Sequence, residues 1–145
     1  MQGYAGEKAT SQYLAQRVQG ASPEQLVAML LEGGQRFINL AIKSMETHDL
    51  PSQARYVNRV ADIILGLRER LNVEQGGELV ENLMRLYDWW TDELFDAAMK
   101  GEPERLQRIS RQMADLRGTW EELDRRKARN DQPPAPTASL GDLSV

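Results

Sequence analysis

Residues 76–94 read GGELVENLMRLYDWWTDEL, and the spacing of their apolar side chains decides the fold. Leu79, Leu83, Leu86, Trp90 and Leu94 follow one another at steps of four, three, four and four. Such steps return a side chain to one side of a 3.6-residue helix. Val80, Met84, Tyr87 and Trp89 are left beside that stripe. A helix that is apolar on more than one side is buried on several sides or meets a partner.

Working outward, three more segments carry helical periodicity. Upstream, Val57, Val60, Ile64, Leu67 and Leu71 form a heptad-like seam, with Tyr56, Ile63 and Leu65 surplus to it. Before that, Ser22-Pro23 followed by Gln25 predicts a capping box and a helix running to about residue 47. Its apolar residues fall in two adjacent stripes, one through Leu26, Leu30, Gly33, Phe37, Leu40 and Ser44. The other runs through Val27, Leu31, Ile38, Ile42 and Met45, so the helix is wide-faced and central. Gly33 and Gly34 sit mid-helix at a cost of about 1 kcal/mol each, which close approach of a neighbouring helix would offset. Downstream, Leu106, Ile109, Met113, Leu116, Trp120 and Leu123 form the most regular seam, from Pro103 to about residue 127.

Residues 48–52 and 73–77 read as loops, and Gly101 as a helix stop. Four helices of about 22 residues, each roughly 33 Å long, match in length. The predicted fold is all-α, an antiparallel up-down four-helix bundle. Residues 1–20 are expected to be a mobile N-terminal segment with a short helical stretch. Residues 21–128 form the bundle, and residues 129–145, which hold Pro133, Pro134 and Pro136, a disordered tail.

Composition narrows the function. The 145 residues carry a formal net charge of −4, so no global basic field draws nucleic acid or anionic lipid. The aromatics of residues 87–90 lie among Asp88, Asp92, Glu93 and Asp96, not among bases. There is no cysteine and His48 is the single histidine, so thiolate sites, histidine clusters and a helical Glu-x-x-His are excluded. Neither a P-loop nor a dinucleotide fingerprint occurs. No apolar run approaches the roughly 18 residues of a membrane span, and residues 1–13 lack a secretory leader pattern. A cytoplasmic binding protein without cofactor or metal is the expectation. Its rivals are another helical adaptor and a small α-helical enzyme.

Four sets of residues resemble one family. Tyr13, Val18, Ala21-Ser22-Pro23, Leu26, Met29-Leu30 and Gly33 are similar to the N-terminal signature of the flagellar secretion chaperone FliS family. Asp62-Ile63-Ile64 with Leu67 is similar to its second-helix motif, and Gly76-Gly77-Glu78-Leu79, Asn82-Leu83 and Leu86-Tyr87 to its third. Leu116-Arg117 with Trp120 is similar to its fourth, and the order and spacing agree throughout. Gly20, Gly34, Val60, Trp89 and Trp90 depart from the residues usual at those places.

The resemblance implies an α-bundle that binds the C-terminal segment of flagellin, prevents its premature polymerisation and delivers it to the flagellar export gate. It also implies an N-terminal segment that covers part of the binding surface until the client displaces it. Tyr13, Val18, Tyr56, Ile63, Met84, Tyr87 and Trp89 are then the candidate client contacts, being surplus to the seams or on the N-terminal segment. Asp62 and Asn82 are expected to link helices internally, with anchoring of the client backbone as the alternative.

Overall fold

A computed structural model describes residue 12 and residues 15–130. Tyr13 and residues 131–145 lie outside the described residues, and with them the expectations for Tyr13 and for most of the tail. Four helices follow in order: α1 (Pro23–Glu46), α2 (Leu50–Glu69), α3 (Glu78–Lys100) and α4 (Pro103–Asn130). No strand occurs among the described residues. Residues 15–19 form a helical turn ahead of α1.

Local chemistry sets the helix ends. The Gln25 N–H donates to Ser22 Oγ at 3.1 Å and the Ser22 N–H to Gln25 Oε1 at 2.9 Å, the predicted capping box, with Pro23 in the first turn. At the other end of α1, the Asp49 N–H reaches back to the Ser44 carbonyl at 2.8 Å. His48 takes a left-handed φ of 56° to permit this, a conformation usually left to glycine. Asp49 then caps α2 by accepting from the Ser52 N–H, so α2 starts at Leu50 rather than at Ser52. Pro51 in the first turn costs no hydrogen bond there. Gly101, with φ of 67°, closes α3. α4 continues to Asn130, past the expected bundle limit at residue 128.

The connections are short, so successive helices run antiparallel. Cross-links confirm it: Gln53 near the start of α2 donates to the Ala98 carbonyl near the end of α3, at 3.1 Å. Lys127 near the end of α4 pairs with Glu24 at the start of α1, at 2.7 Å. α1 packs closely on both α2 and α4, and α3 closes the ring between those two. Leu31, Ile38, Ile64, Leu67, Leu94 and Ile109 meet in one continuous core.

Gly34 is what lets α1 be pressed from both sides. A Cβ there would stand 2.9 Å from Met113 Sδ on α4 and 3.6 Å from Ile63 Cγ2 on α2. The expected close approach is therefore present, and it is a contact within the bundle.

Two predicted stripes are shifted. In α1 the buried residues are Ala28, Leu31, Gly34, Ile38, Ala41, Ile42 and Ser44. Leu26, Leu30, Phe37 and Leu40 flank that seam, which is tightest at Gly34, where α4 and α2 converge on α1. In α3 the buried set is Val80, Leu83, Tyr87, Trp90, Leu94 and Ala97, while Leu79 is exposed and Leu86 half-buried. That set alternates steps of three and four, which holds a facing seam, whereas consecutive steps of four drift off it. The α2 seam matches the prediction from Val57 to Leu67, with Leu71 partly buried. In α4, Leu106, Ile109 and Met113 are sealed, but Leu116, Trp120 and Leu123 are half-open.

Candidate functional site: apolar side chains on the flanks of α3

α3 faces two neighbours, and its flanks are fixed by ion pairs. Asp88 pairs with Arg68 of α2 at 3.0 Å, which orients one flank. Met84 lies four residues before Asp88 and Phe95 seven after it, so both share that flank. Leu65 lies three residues before Arg68 and takes the matching flank of α2. Leu65 is 53% exposed and Phe95 41%, with Met84 half-buried. These three form an apolar strip along the α2–α3 flank, crossed by the Arg68–Asp88 pair. The pair is exposed on both sides and worth little to stability.

The other flank faces α4. Arg105 of α4 holds Glu93 at 2.5 Å, Asp96 at 2.8 Å and Glu102 at 2.9 Å. Trp89 lies four residues before Glu93, so it stands beside this ionic cluster, 41% exposed. Its neighbour Trp90 points the other way, fully buried, with its indole N–H donating to Gln112 Oε1 at 2.7 Å.

The seven expected contact residues do not converge on one face. Tyr56 stacks on Phe37 of α1, ring centroids 6.2 Å apart, with the Arg55 guanidinium 5.2 Å above its ring. Ile63 fills the notch at Gly33 and Gly34. Both lean toward α1 and are only partly exposed. Val18 is exposed on the helical turn before α1. Tyr87 requires correction as a surface residue: it is 1% exposed, packed 5.5 Å from the Trp90 ring, and burial pushes its hydroxyl pKa up to about 12. A tyrosine at a seam step buries its ring against the core, and no surplus face remains for it. The expectation for Asn82 and Asp62 also changes. Asn82 accepts from Arg85 one turn along its own helix, and Asp62 stands exposed, so neither links helices.

Phe95 was missed by the sequence reading, and Leu65 was noted as surplus without being assigned a role. The signal for Phe95 was present: continuing from Met84 by seven and four residues along the same flank reaches it.

The arginines of the basic run at the end of α4 make ion pairs within their own helix. Arg125, Arg126 and Arg129 share Glu122, at 2.6, 3.0 and 3.5 Å. Among the described residues no group of His, Cys, Asp and Glu is placed to hold a metal ion, and no helix is long and apolar enough to cross a membrane.

The Arg105 cluster makes a pH prediction. Hydrogen bonding to Arg105 holds Glu93 and Asp96 below the ordinary carboxylate range, and Arg125 does the same for Glu122. A carboxyl whose folded pKa is depressed stabilises the fold above its unfolded pKa and loses that contribution as pH falls through the folded value. Urea midpoints should hold steady near neutral pH and fall progressively below about pH 4.5, the ordinary glutamate range. Glu93→Gln should lower the neutral plateau and flatten the acid limb; an unchanged acid limb would assign the loss to other groups.

A helical bundle with a closed core, whose flanks still carry uncovered apolar side chains, has the build of a helical chaperone. Comparison with known proteins agrees. The family described as flagellar protein FliS matches residues 6–127. The chain is 31% identical over 118 residues to the flagellar secretion chaperone FliSB of Pseudomonas aeruginosa, covering 79% of this chain and 94% of that one. It is 27% identical over 107 residues to flagellar secretion chaperone FliS of Vibrio cholerae, covering 74% and 79%. The match to FliS of Salmonella typhimurium is also 27% over 107 residues, covering 73% and 79%. The chain belongs to the FliS family.

Proposed function

We propose that this protein is a cytoplasmic export chaperone that binds the C-terminal segment of flagellin and delivers it to the flagellar type III export gate. The observation that carries this reading is the apolar strip of Leu65, Met84 and Phe95 along the α2–α3 flank of a bundle whose own core is already complete. Membership in a family whose relatives are named flagellar secretion chaperones supports the kind of client.

The mechanism is coupled folding and binding. Apolar residues of the client, which would otherwise drive its polymerisation, are buried on the chaperone as the segment gains helix. Ordering a disordered segment costs several kcal/mol, so the contact must be long. At about 25 cal/mol per Å² of apolar surface, a strip along a whole helix flank meets that need better than one pocket. A segment lying on the α2–α3 flank and crossing α3 would reach Trp89 on the far side. Tyr56 and Ile63, partly exposed on the α1 side, and Val18 on the turn before α1 are further contacts along such a path.

A peptide of the flagellin C-terminal segment should bind with a micromolar or better Kd by calorimetry and gain helical circular dichroism on binding. Absence of binding up to about 100 μM peptide, with the chaperone folded, would sink the reading.

A further inference from the structure

The two flanks of α2 carry opposite charge. Toward α3, the apolar strip is bordered by Glu81, three residues before Met84, and by Asp92, four after Asp88. Neither carboxylate has an ion pair among the described residues. Toward α1 the border is basic. Leu26, Leu30, Phe37 and Leu40 are half-buried along the α2 side of α1, and Tyr56 and Ile63 face them from α2. Arg59 falls between Tyr56 and Ile63 at steps of three and four, and Arg70 lies seven beyond Ile63, so both share that side of α2. Arg55 covers the Tyr56 ring. On α1, Arg36 and Lys43 stand three residues beyond Gly33 and Leu40. All five cations are exposed, and none has an ion pair among the described residues. The nearby carboxylates lie off this face. Glu32 lines the α4 side of α1 with Glu121 and Asp124, Glu46 ends α1, and Asp49 caps α2. Asp62 and Glu69 stand on the outer ridge of α2, three and four residues from Leu65.

We propose that the α1–α2 face docks an amphipathic helix whose apolar stripe is edged by carboxylates, and that this helix is the part of the client lying on the α1 side. The identity of the helix as client rests on the chaperone reading; its chemistry rests on the face alone. Leu26 to Leu40 spans about 21 Å, which matches a partner helix of about 15 residues. Its apolar side meets Phe37, Tyr56 and Ile63, and its carboxylates meet the cations on either edge. Exposed charges add little affinity singly, but they steer encounter and reject a helix with basic edges. The acidic border of the α2–α3 strip rejects the acid-edged helix in turn. The two flanks of α2 therefore take different stretches of the client, and charge fixes which stretch goes where. Gly66 leaves room for the approach. It lies three residues beyond Ile63 and four before Arg70, and nothing stands within 4 Å of where its Cβ would be. Packing within the chain thus does not account for this mid-helix glycine, which by itself disfavours helix.

A designed helical peptide of about 15 residues, with a leucine stripe edged by glutamates, probes the face on the full chain by fluorescence anisotropy. It should bind, and more weakly as salt rises. Arg36→Glu with Arg59→Glu should weaken it about tenfold or more and leave the melting temperature within a few degrees, both arginines being exposed. The same reversed protein should gain affinity for a lysine-edged version of the peptide. Leu65→Asp with Phe95→Asp should leave the glutamate peptide's affinity unchanged. Gly66→Leu should raise the urea midpoint yet weaken the peptide, a combination that a purely structural glycine does not give. No binding up to about 100 μM, or binding indifferent to the two arginine reversals, would overturn the proposal. So would a loss in Leu65→Asp, Phe95→Asp, which places the acid-edged helix on the α2–α3 flank. Phosphatidylglycerol vesicles that bind the parent and not the reversed protein, with no binding of the glutamate peptide, would assign the face to an anionic surface instead. Displacement of the glutamate peptide by a flagellin C-terminal peptide supports the client assignment, and joint binding of the two removes the client from this face. A flagellin peptide that does not bind at all would sink the chaperone reading, while the designed peptides still decide the charge preference of the face.

Discussion

The double variant Leu65→Asp, Phe95→Asp is expected to bind the flagellin C-terminal segment about 100-fold more weakly while unfolding within a few degrees of the parent protein. Both side chains are substantially exposed and lie outside the core, so replacing them removes little that folding buries. On the surface of a complex the balance reverses. Each becomes a carboxylate opposite the client's apolar residues, and burying an unpaired charge is costly. Interface energy concentrates in a few apolar anchors, and these two are the most exposed side chains of the strip. Trp89→Asp should cost less, about tenfold, because Trp89 sits on the opposite flank beside Glu93 and Asp96. Calorimetric titration of the three variants, with thermal melts as the folding control, reads both quantities. Parent-like affinity in the double variant would remove the α2–α3 flank from the client path. A larger loss in Trp89→Asp would move that path to the α4 side.

Trp90→Ala and Trp89→Ala, one residue apart, should differ greatly in stability. Trp90 has no exposed surface, packs on Tyr87 and holds Gln112 through its indole N–H. Truncating such a residue typically costs about 3–5 kcal/mol, through lost burial and the cavity left behind. For a domain of this size that lowers Tm by about 10–20 °C. Trp89→Ala removes a side chain already in contact with water and should cost less than about 1 kcal/mol. Should Trp90→Ala fail to fold, Trp90→Phe keeps most of the apolar volume, loses the bond to Gln112 and should show an intermediate loss. Chemical denaturation of the pair decides the matter. Similar losses for both tryptophans would mean that Trp89 is packed as well.

That contrast also marks how far the sequence could be read. Four helical periodicities, the Ser22–Gln25 cap, the glycine stop at Gly101 and the chain length were sufficient for the all-α bundle and its helix order. These features are local: a cap, a stop or a heptad seam acts within a few residues of itself. The seams of α2 and most of α4 were legible for the same reason, because steps of three and four admit a single buried face.

The faces of α1 and α3 were settled only by tertiary packing. Around either helix, two stripes of apolar residues lie within a fraction of a turn of each other, and the choice between them depends on where the neighbouring helices stand. In α1, Met113 and Ile63 press on Gly34, which puts that position in the seam between Leu31 and Ile38 and leaves Phe37 at its edge. In α3, contact with α2 and α4 turns Tyr87 and Val80 inward and leaves Leu79 and Phe95 in water. The candidate binding surface is what remains after that choice is made, so it could not be read residue by residue beforehand. The sequence alone determined that there would be apolar surface to spare and which helices would carry it. The packing of α3 between α2 and α4 decided which side chains that surface contains, because burial is a property of neighbours and not of the residue itself.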